Sequence, residues 1–208
     1  MTAHTMPRNV GGTGIDQIRA PWLLYLDGAA LTVRGAVPQD LPAVARMHGR
    51  CSAKSLLDRY RTGGRPPAII VLDRHVRDPL SFVVTTDDAR VVALSRVAPD
   101  PDHSFGSAEI AMLVEDQWQR IGVGRALLRH TAAAAALTGY RQLISYPGTT
   151  SGTVQRLMGG IGTTRLMTEG PLTEGPRHLH TALSENSKRG LGLFSAGGAA
   201  ARAVHALG

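Results

Sequence analysis

Short apolar runs alternate along this chain with segments of helical periodicity, which predicts strands and helices that follow one another in sequence. Leu41, Val44 and His48 recur at helical spacing, so a helix is predicted to begin there with Asp40 as its N-cap. Residues 68–72 form an apolar segment that fits a strand or a helix equally well. The predicted strands are 30–34, 81–86, 89–97, 107–114, 142–146, 163–168 and 178–183, and the further predicted helices are 52–61, 122–138 and 151–159.

Composition changes at both ends of the chain and divides it into three predicted regions. The chain has 208 residues, of which 43% are hydrophobic, enough for the core of one domain. Residues 1–29 are predicted to form a flexible N-terminal arm, and residues 184–208, rich in Ser, Gly and Ala, a flexible C-terminal tail. The domain itself is predicted over residues 30–183.

Charge and cysteine usage narrow the class of protein. The formal charge is +7, but aromatic residues make up only 4% and the basic residues are scattered, which argues against nucleic-acid binding. A basic protein of this kind attracts an anionic cofactor through its long-range field. The single cysteine, Cys51, excludes an intrachain disulfide and fits a cytoplasmic location. Neither a signal peptide, nor a membrane span, nor a metal site is expected.

The segment from Gln119 to Arg125 carries the most specific chemistry. It places Gly122 and Gly124 between the predicted strand 107–114 and the helix that follows. Glycine lets a ligand approach the backbone closely, and the first N–H groups of a helix have no partner inside it, so this turn can hold a phosphate or pyrophosphate. A P-loop would need Gly-Lys-Ser/Thr here, and the dinucleotide fingerprint would need Gly or Ala in place of Leu127.

The spacing Gln119-x-x-Gly122-x-Gly124 fits the pattern Q/R-x-x-G-x-G/A, preceded by an apolar strand. This combination resembles motif A of the GNAT superfamily of N-acetyltransferases, and the resemblance covers about residues 31–183. It implies an α/β fold with a mixed, mostly antiparallel central sheet flanked by helices. It also implies acetyl-CoA as co-substrate and a primary amine as acceptor, on a protein lysine or a small molecule. Residues 48–59 are similar to the bacterial protein-lysine acetyltransferase branch, and domains of this family often form homodimers.

The resemblance also assigns residues to the cofactor. In this family the fourth strand bulges away from the fifth, and the pantetheine arm lies in the gap, which here implies contacts from Met112, Leu113 and Val114. Ser151 stands where the family commonly has Asn beside the cofactor. The pyrophosphate is expected on the turn formed by Gln119, Arg120, Ile121, Gly122, Val123, Gly124 and Arg125.

Glu109 is the predicted general base, because a carboxylate on an apolar strand beside the motif can take the proton of an incoming amine. An alternative is that Glu109 forms an ion pair with Arg96 on the neighbouring strand. Glu115, Asp116 and His48 are rival bases, and the two acids are expected in an exposed loop.

The sequence does not identify a general acid, and it fits both an active enzyme and a catalytically weak domain. The family's usual tyrosine is absent from residues 151–161, and Tyr146 is a poorly aligned substitute. A covalent route through Cys51 lacks a supporting His and Asp. Two functions are therefore carried forward: direct acetyl transfer, and a catalytically weak module that senses acyl-CoA or binds a partner.

Overall fold

A single mixed sheet of eight strands supports the part of the chain that the structure describes, in the order β1-β2-β3-β4-β5-β6-β8-β7. The structure is a computed structural model, and it describes residues 13–26, 28–60, 63–100, 106–146, 152–168 and 177–184. The strands are β1 (Trp22–Leu26), β2 (Ala29–Gly35), β3 (Ser81–Thr85), β4 (Val91–Pro99), β5 (Ser107–Val114), β6 (Gln142–Ser145), β7 (Gly162–Thr168) and β8 (Arg177–Leu183).

Helices cover both faces of this sheet. They are α1 (Thr13–Arg19), α2 (Leu41–Arg50), α3 (Ala53–Tyr60), α4 (Ile69–Arg77), α5 (Val123–Leu137) and α6 (Gly152–Gly159). The predicted α/β class with a mostly antiparallel sheet is confirmed, and the ambiguous segment 68–72 forms the N-cap, Ala68, and the first turn of helix α4. None of the described helices combines the length and the apolar character needed to cross a membrane.

Strand β5 separates two apolar cores because its side chains alternate between the two faces of the sheet. Ile110 lies in one core with Leu127 of α5, whereas Leu113 lies in the other with Met47 of α2 and Leu56 of α3. Successive residues of β5 therefore face either α5 or the layer formed by α2, α3 and α4. This alternation decides which side chains can meet in the site described below.

The sheet opens between β5 and β6, its one parallel pair in the described strand order. Pairing runs only from Ser107 with Gln142 to Glu109 with Ile144. Strand β5 continues to Val114 along β4, with no further pairing to β6. The two strands therefore separate beyond Glu109, and the edge of β5 is left open to a ligand.

The N-terminal region differs from the flexible arm predicted over residues 1–29. Helix α1 and strand β1 lie within that range, and β1 pairs antiparallel with β2. Ile18 is buried, and Trp22, Leu24 and Leu26 pack against the same core, so tertiary contacts order a segment too short to show a clear pattern. Residues 1–12 and, apart from Ser184, the predicted C-terminal tail lie outside the described residues.

Of the two polar residues that precede α2 and α3, only one caps its helix with a side-chain hydrogen bond. Asp40 does not cap helix α2 with its side chain, contrary to the prediction. Its two carboxylate oxygens accept hydrogen bonds from Arg34 at 2.7 Å each, and Oδ2 also accepts one from the Val37 backbone at 2.9 Å. Ser52 does cap α3, since its hydroxyl accepts from the Ser55 backbone N–H at 3.2 Å.

Candidate active site

A cavity of about 880 Å³ fills the gap between β5 and β6. Its walls come from α3, β5, the start of α5, the end of β6, and α6. The cavity brings together most of the predicted site residues, namely Glu109, Met112, Leu113, Val114, Gln119, Arg120, Gly122, Gly124 and Arg125. Of the other predicted site residues, Val123 is buried in the core, Ile121 packs against that core, and Ser151 lies outside the described residues.

The glycine turn before α5 adopts a left-handed backbone at two positions. Arg120 has φ 65° and Gly122 has φ 104°. The first N–H that closes the helix is that of Ala126, which donates to the Gly122 carbonyl at 3.0 Å. The N–H groups of residues 123 to 125 therefore stay available at the positive end of the helix dipole, as an anion site requires.

Gly124 is the glycine of this turn that faces the cavity without a special backbone angle. A Cβ added there would lie 3.5 Å from Met112 Cε and 3.7 Å from Val114 Cγ2, which are ordinary contacts. The protein itself thus leaves room for a side chain at this position. A glycine here keeps the surface of the turn low where a ligand would approach.

Gln119 fastens the turn to the rest of the site. Its Nε2 donates to the Val114 carbonyl at 2.9 Å and to the Ser55 hydroxyl at 3.1 Å. Asp116 ties the same loop to α3, because it accepts from the Ser52 backbone N–H at 2.8 Å and from the Ser52 and Ser55 hydroxyls. Burial tends to raise the pKa of Asp116, but these hydrogen bonds outweigh it and hold the pKa below its usual range.

Glu115 is not the exposed loop residue that the sequence predicts. Its side chain is buried, and it forms ion pairs with Arg50, at 2.9 Å, and with Arg90. Gln117 adds a further hydrogen bond to the same carboxylate at 3.2 Å. The two guanidinium groups hold this carboxylate at the end of β5, where it anchors the strand and does not line the cavity.

Glu109 is half-buried, lines the cavity, and shares the face of β5 that points toward α3. The alternative ion pair with Arg96 does not form, because Arg96 Nε donates to Asp78 Oδ2 at 3.0 Å. Across the described ranges, Glu109 has no hydrogen-bond or ion-pair partner. Its carboxylate therefore remains available to a ligand in the cavity.

His48 is excluded as a base by its own contacts. It is fully buried, and its Nδ1 lies 2.8 Å from the Val44 carbonyl while its Nε2 lies 2.7 Å from the Tyr60 hydroxyl. Burial lowers the pKa of His48 and keeps the ring neutral. Nδ1 must carry the proton that the carbonyl accepts, so Nε2 accepts from Tyr60 and orients that phenol at the cavity.

Arg59 is a cavity residue that the sequence analysis did not single out. Its guanidinium lies 4.5 Å above the ring centroid of Tyr60. Burial lowers the pKa of Arg59, and nearby Tyr60 and Glu109 act in the opposite direction. A single arginine in a short amphipathic helix gives no sequence signal, because most such residues face solvent.

The remaining candidates for acid and covalent chemistry are engaged or inert. The Tyr146 hydroxyl lines the cavity and donates to Asp100 Oδ2 at 2.9 Å. Burial, with Asp116 and Glu115 nearby, raises the pKa of Cys51 to about 12. The thiol is buried and is not a nucleophile at neutral pH. No group of three or more His, Cys, Asp or Glu side chains in the described ranges could hold a metal ion.

Comparison with known proteins matches part of the chain to a family. Residues 52–152, just under half of the chain, match the acetyltransferase (GNAT) family. This segment is therefore similar to a GNAT acetyltransferase domain. This matched segment begins at the cap of α3 and contains β5, Glu109 and the glycine turn, and acetyl-CoA is the co-substrate of the family. No curated protein is significantly similar to the chain.

Solved structures share this GNAT fold at low sequence identity. The GNAT domain of S. lividans PAT is 22% identical, with a TM-score of 0.64 over 78% of this chain and 97% of that one. A phosphinothricin acetyltransferase from Sinorhizobium meliloti, in complex with AcCoA, is 18% identical, with a TM-score of 0.53 over 74% and 89%. The ribosomal-protein-S18-alanine N-acetyltransferase from Escherichia coli is 20% identical, with a TM-score of 0.52 over 74% and 94%.

Proposed function

We propose that this domain transfers an acetyl group from acetyl-CoA to a primary amine by direct attack, with Glu109 as the general base. The observation that carries the proposal is a single cavity with the glycine turn at one end and the Glu109 carboxylate at the other, and this carboxylate has no hydrogen-bond or ion-pair partner among the described residues. A phosphate site and a proton acceptor joined by an open strand edge are what acetyl transfer from a long, phosphorylated thioester requires.

We expect the cofactor to lie in this cavity with its pyrophosphate on the glycine turn. The pyrophosphate would accept hydrogen bonds from the N–H groups at the start of α5, with charge from Arg120 and Arg125. The pantetheine amides would pair with the edge of β5 over Met112, Leu113 and Val114, beyond the point where β6 separates. This direction would bring the thioester near Glu109.

The chemistry then follows from the ionisation of the acceptor. A lysine-like amine has a pKa of about 10.4, so it arrives as an ammonium and must lose a proton before it can attack. Glu109 takes that proton, directly or through one water. The amine nitrogen bonds to the thioester carbon, and a backbone N–H on β5 stabilises the tetrahedral oxyanion. The carbon–sulfur bond breaks as the oxyanion collapses, the nitrogen releases its second proton to water to give the neutral amide, and CoA leaves as a thiolate.

The departing thiolate needs a proton. Tyr60 and Tyr146 are the two phenols in the cavity, and each is hydrogen-bonded to another protein group, namely His48 or Asp100. We therefore assign this proton to water.

A second candidate function is a module that binds acyl-CoA without efficient turnover. The engagement of both phenols favours it, since a ready-made acid for the thiolate is missing among the described cavity residues. Two measurements on the purified chain separate the candidates. These are calorimetric binding of acetyl-CoA, and CoA release with a mixed panel of small amines and lysine peptides. Binding with turnover supports the enzyme, and tight binding without any turnover supports the module.

A further inference from the structure

We infer that the acceptor amine carries a carboxylate, which Arg59 binds while Glu109 receives the proton of the amine. This inference rests on the proposed function and deepens it, because it names the acceptor class as small amino acids rather than amines without an acid group. The juxtaposition of Arg59 and Glu109 in one cavity is the observation behind it.

Arg59 is held in the cavity by its neighbours, unlike a solvated arginine on the surface. It projects from the last turn of α3 onto the ring of Tyr60, and that phenol is held in place by buried His48 at 2.7 Å. Tyr60 also stacks on His75, with the ring centroids 6.3 Å apart and the planes nearly parallel. A guanidinium supported on a fixed aromatic ring is pre-organised for bidentate recognition of a carboxylate.

Within the described ranges Arg59 forms no ion pair, and the nearby charge of Glu109 only partly offsets its burial. Among the described residues its guanidinium has a cation–π partner in Tyr60 but no hydrogen-bond or ion-pair partner. A partly buried guanidinium is costly when it is unpaired, and burial lowers its pKa accordingly. A ligand carboxylate would remove this cost, whereas a ligand with a second cation would increase it.

The other charges that line the cavity have different partners. Asp58 pairs with Lys54 at 2.6 Å, and Asp116 accepts hydrogen bonds from Ser52 and Ser55. The two arginines of the glycine turn lie at the phosphate end. Arg59 and Glu109 are then the cation and the anion that face the same side of the sheet. A zwitterionic acceptor complements this pair, with its acid on Arg59 and its amine near Glu109.

The test compares amino acids with their own amides, which lack the negative charge. The ladder runs from β-alanine to 6-aminohexanoate, each with its amide, together with Nα-acetyl-lysine amide as a mimic of a protein lysine. We expect kcat/KM for the best acid to exceed that of its amide by roughly 10- to 100-fold, the range typical of one charge-assisted contact. Calorimetric titration of the same pairs into the protein–CoA complex gives the preference independently of turnover.

Arg59→Met removes the charge at similar length, so it should lower the acid-to-amide ratio by roughly 10- to 100-fold relative to wild type while leaving the KM for acetyl-CoA unchanged. Because the ratio is compared between two proteins, differences in amine pKa between acid and amide cancel. Arg59→Lys should retain part of the preference, and it replaces the Met variant if that variant fails to fold. Arg46→Met, an exposed arginine of α2 away from the cavity, is the matched control for net charge.

The outcomes separate this inference from the proposed function. Turnover of amines with equal rates for acid and amide, or best with Nα-acetyl-lysine amide, overturns the carboxylate assignment and leaves acetyl transfer standing. A binding preference for the acids without turnover supports Arg59 recognition and contradicts the enzyme. Loss of acid preference in Arg46→Met as well as in Arg59→Met would also overturn the assignment.

Discussion

One end of the cavity is formed by backbone groups, and the other is formed by side chains. The proposed phosphate end is a turn of consecutive residues, Gln119 to Arg125, whose backbone N–H groups are available to an anion. The proposed acceptor end consists of side chains from separate segments: Arg59 and Tyr60 on α3, His48 on α2 behind them, and Glu109 on β5. A backbone site tolerates variation in most of its side chains, whereas a side-chain site depends on each member. The two ends should therefore respond to mutation in different kinetic constants.

Glu109→Gln is expected to have the largest effect, and it should lower turnover at the acceptor end without weakening cofactor binding at the phosphate end. The variant keeps the size of the side chain but cannot accept a proton, so kcat should fall by about 10²- to 10⁴-fold. The deficit should be greatest at the lower end of the pH range, where less of the acceptor is already deprotonated. Acetyl-CoA affinity, measured by calorimetry, should stay within about 3-fold of wild type, which corresponds to less than ~0.7 kcal/mol. A wild-type rate across the pH range would assign the base to another group.

Gly124→Glu tests the phosphate end in the same way. A carboxylate would enter beside the bound phosphates, and repulsion of a few kcal/mol should weaken acetyl-CoA binding by at least about 100-fold. Gly124→Gln is the matched neutral control, and Gly124→Ala reports the methyl group alone, since its Cβ meets only ordinary contacts at 3.5 Å and 3.7 Å. We expect calorimetric losses in the order Ala, Gln, Glu. Equal affinities for the Gln and Glu variants would remove the phosphates from this turn.

The same contrast explains what the sequence reveals. The turn at the proposed phosphate end is predictable because its signal is local: two glycines at fixed spacing follow an apolar strand and begin a helix. Strand β5 lies at its predicted bounds, and α5 lies within one residue of its own at each end, for the same reason. The acceptor end needs tertiary structure, since nothing in the sequence shows that Arg59 and Glu109 share a cavity. Glu115 illustrates the limit, because its burial depends on two arginines 65 and 25 residues away.

Acid pH should lower the stability of the fold, because a buried histidine on each side of the sheet resists protonation in the folded protein. Burial, with Arg59 and Arg96 nearby, lowers the pKa of His75 on α4 to about 3, and burial lowers that of His130 on α5 to about 4. Both stay neutral in the folded protein, while their unfolded counterparts bind a proton below about pH 6.5. Their stabilising effect is therefore complete above that pH and is lost as the pH falls.

Urea unfolding at pH 7.5 and pH 5 measures this loss. Each histidine should remove about 2 kcal/mol from the free energy of unfolding over that interval. His75→Leu and His130→Leu should each flatten the dependence by one proton, and Arg46→Met serves as the control for a surface change. Identical pH dependence in all three variants would place the acid sensitivity elsewhere.

Glu115→Gln is expected to have the smallest effect. It tests whether Glu115, which lies between Glu109 and the glycine turn, supports the fold rather than the reaction. The variant keeps hydrogen-bonding atoms but loses the charge that pairs with Arg50 and Arg90. Because both arginines are partly exposed and water can solvate them, the free energy of unfolding should fall by only about 1–2 kcal/mol. Turnover of the folded variant and its acetyl-CoA affinity should stay within about 3-fold of wild type. A large loss of turnover at unchanged stability would make Glu115 a rival of Glu109 as the base, and the acceptor end would then extend to the loop that begins the phosphate site.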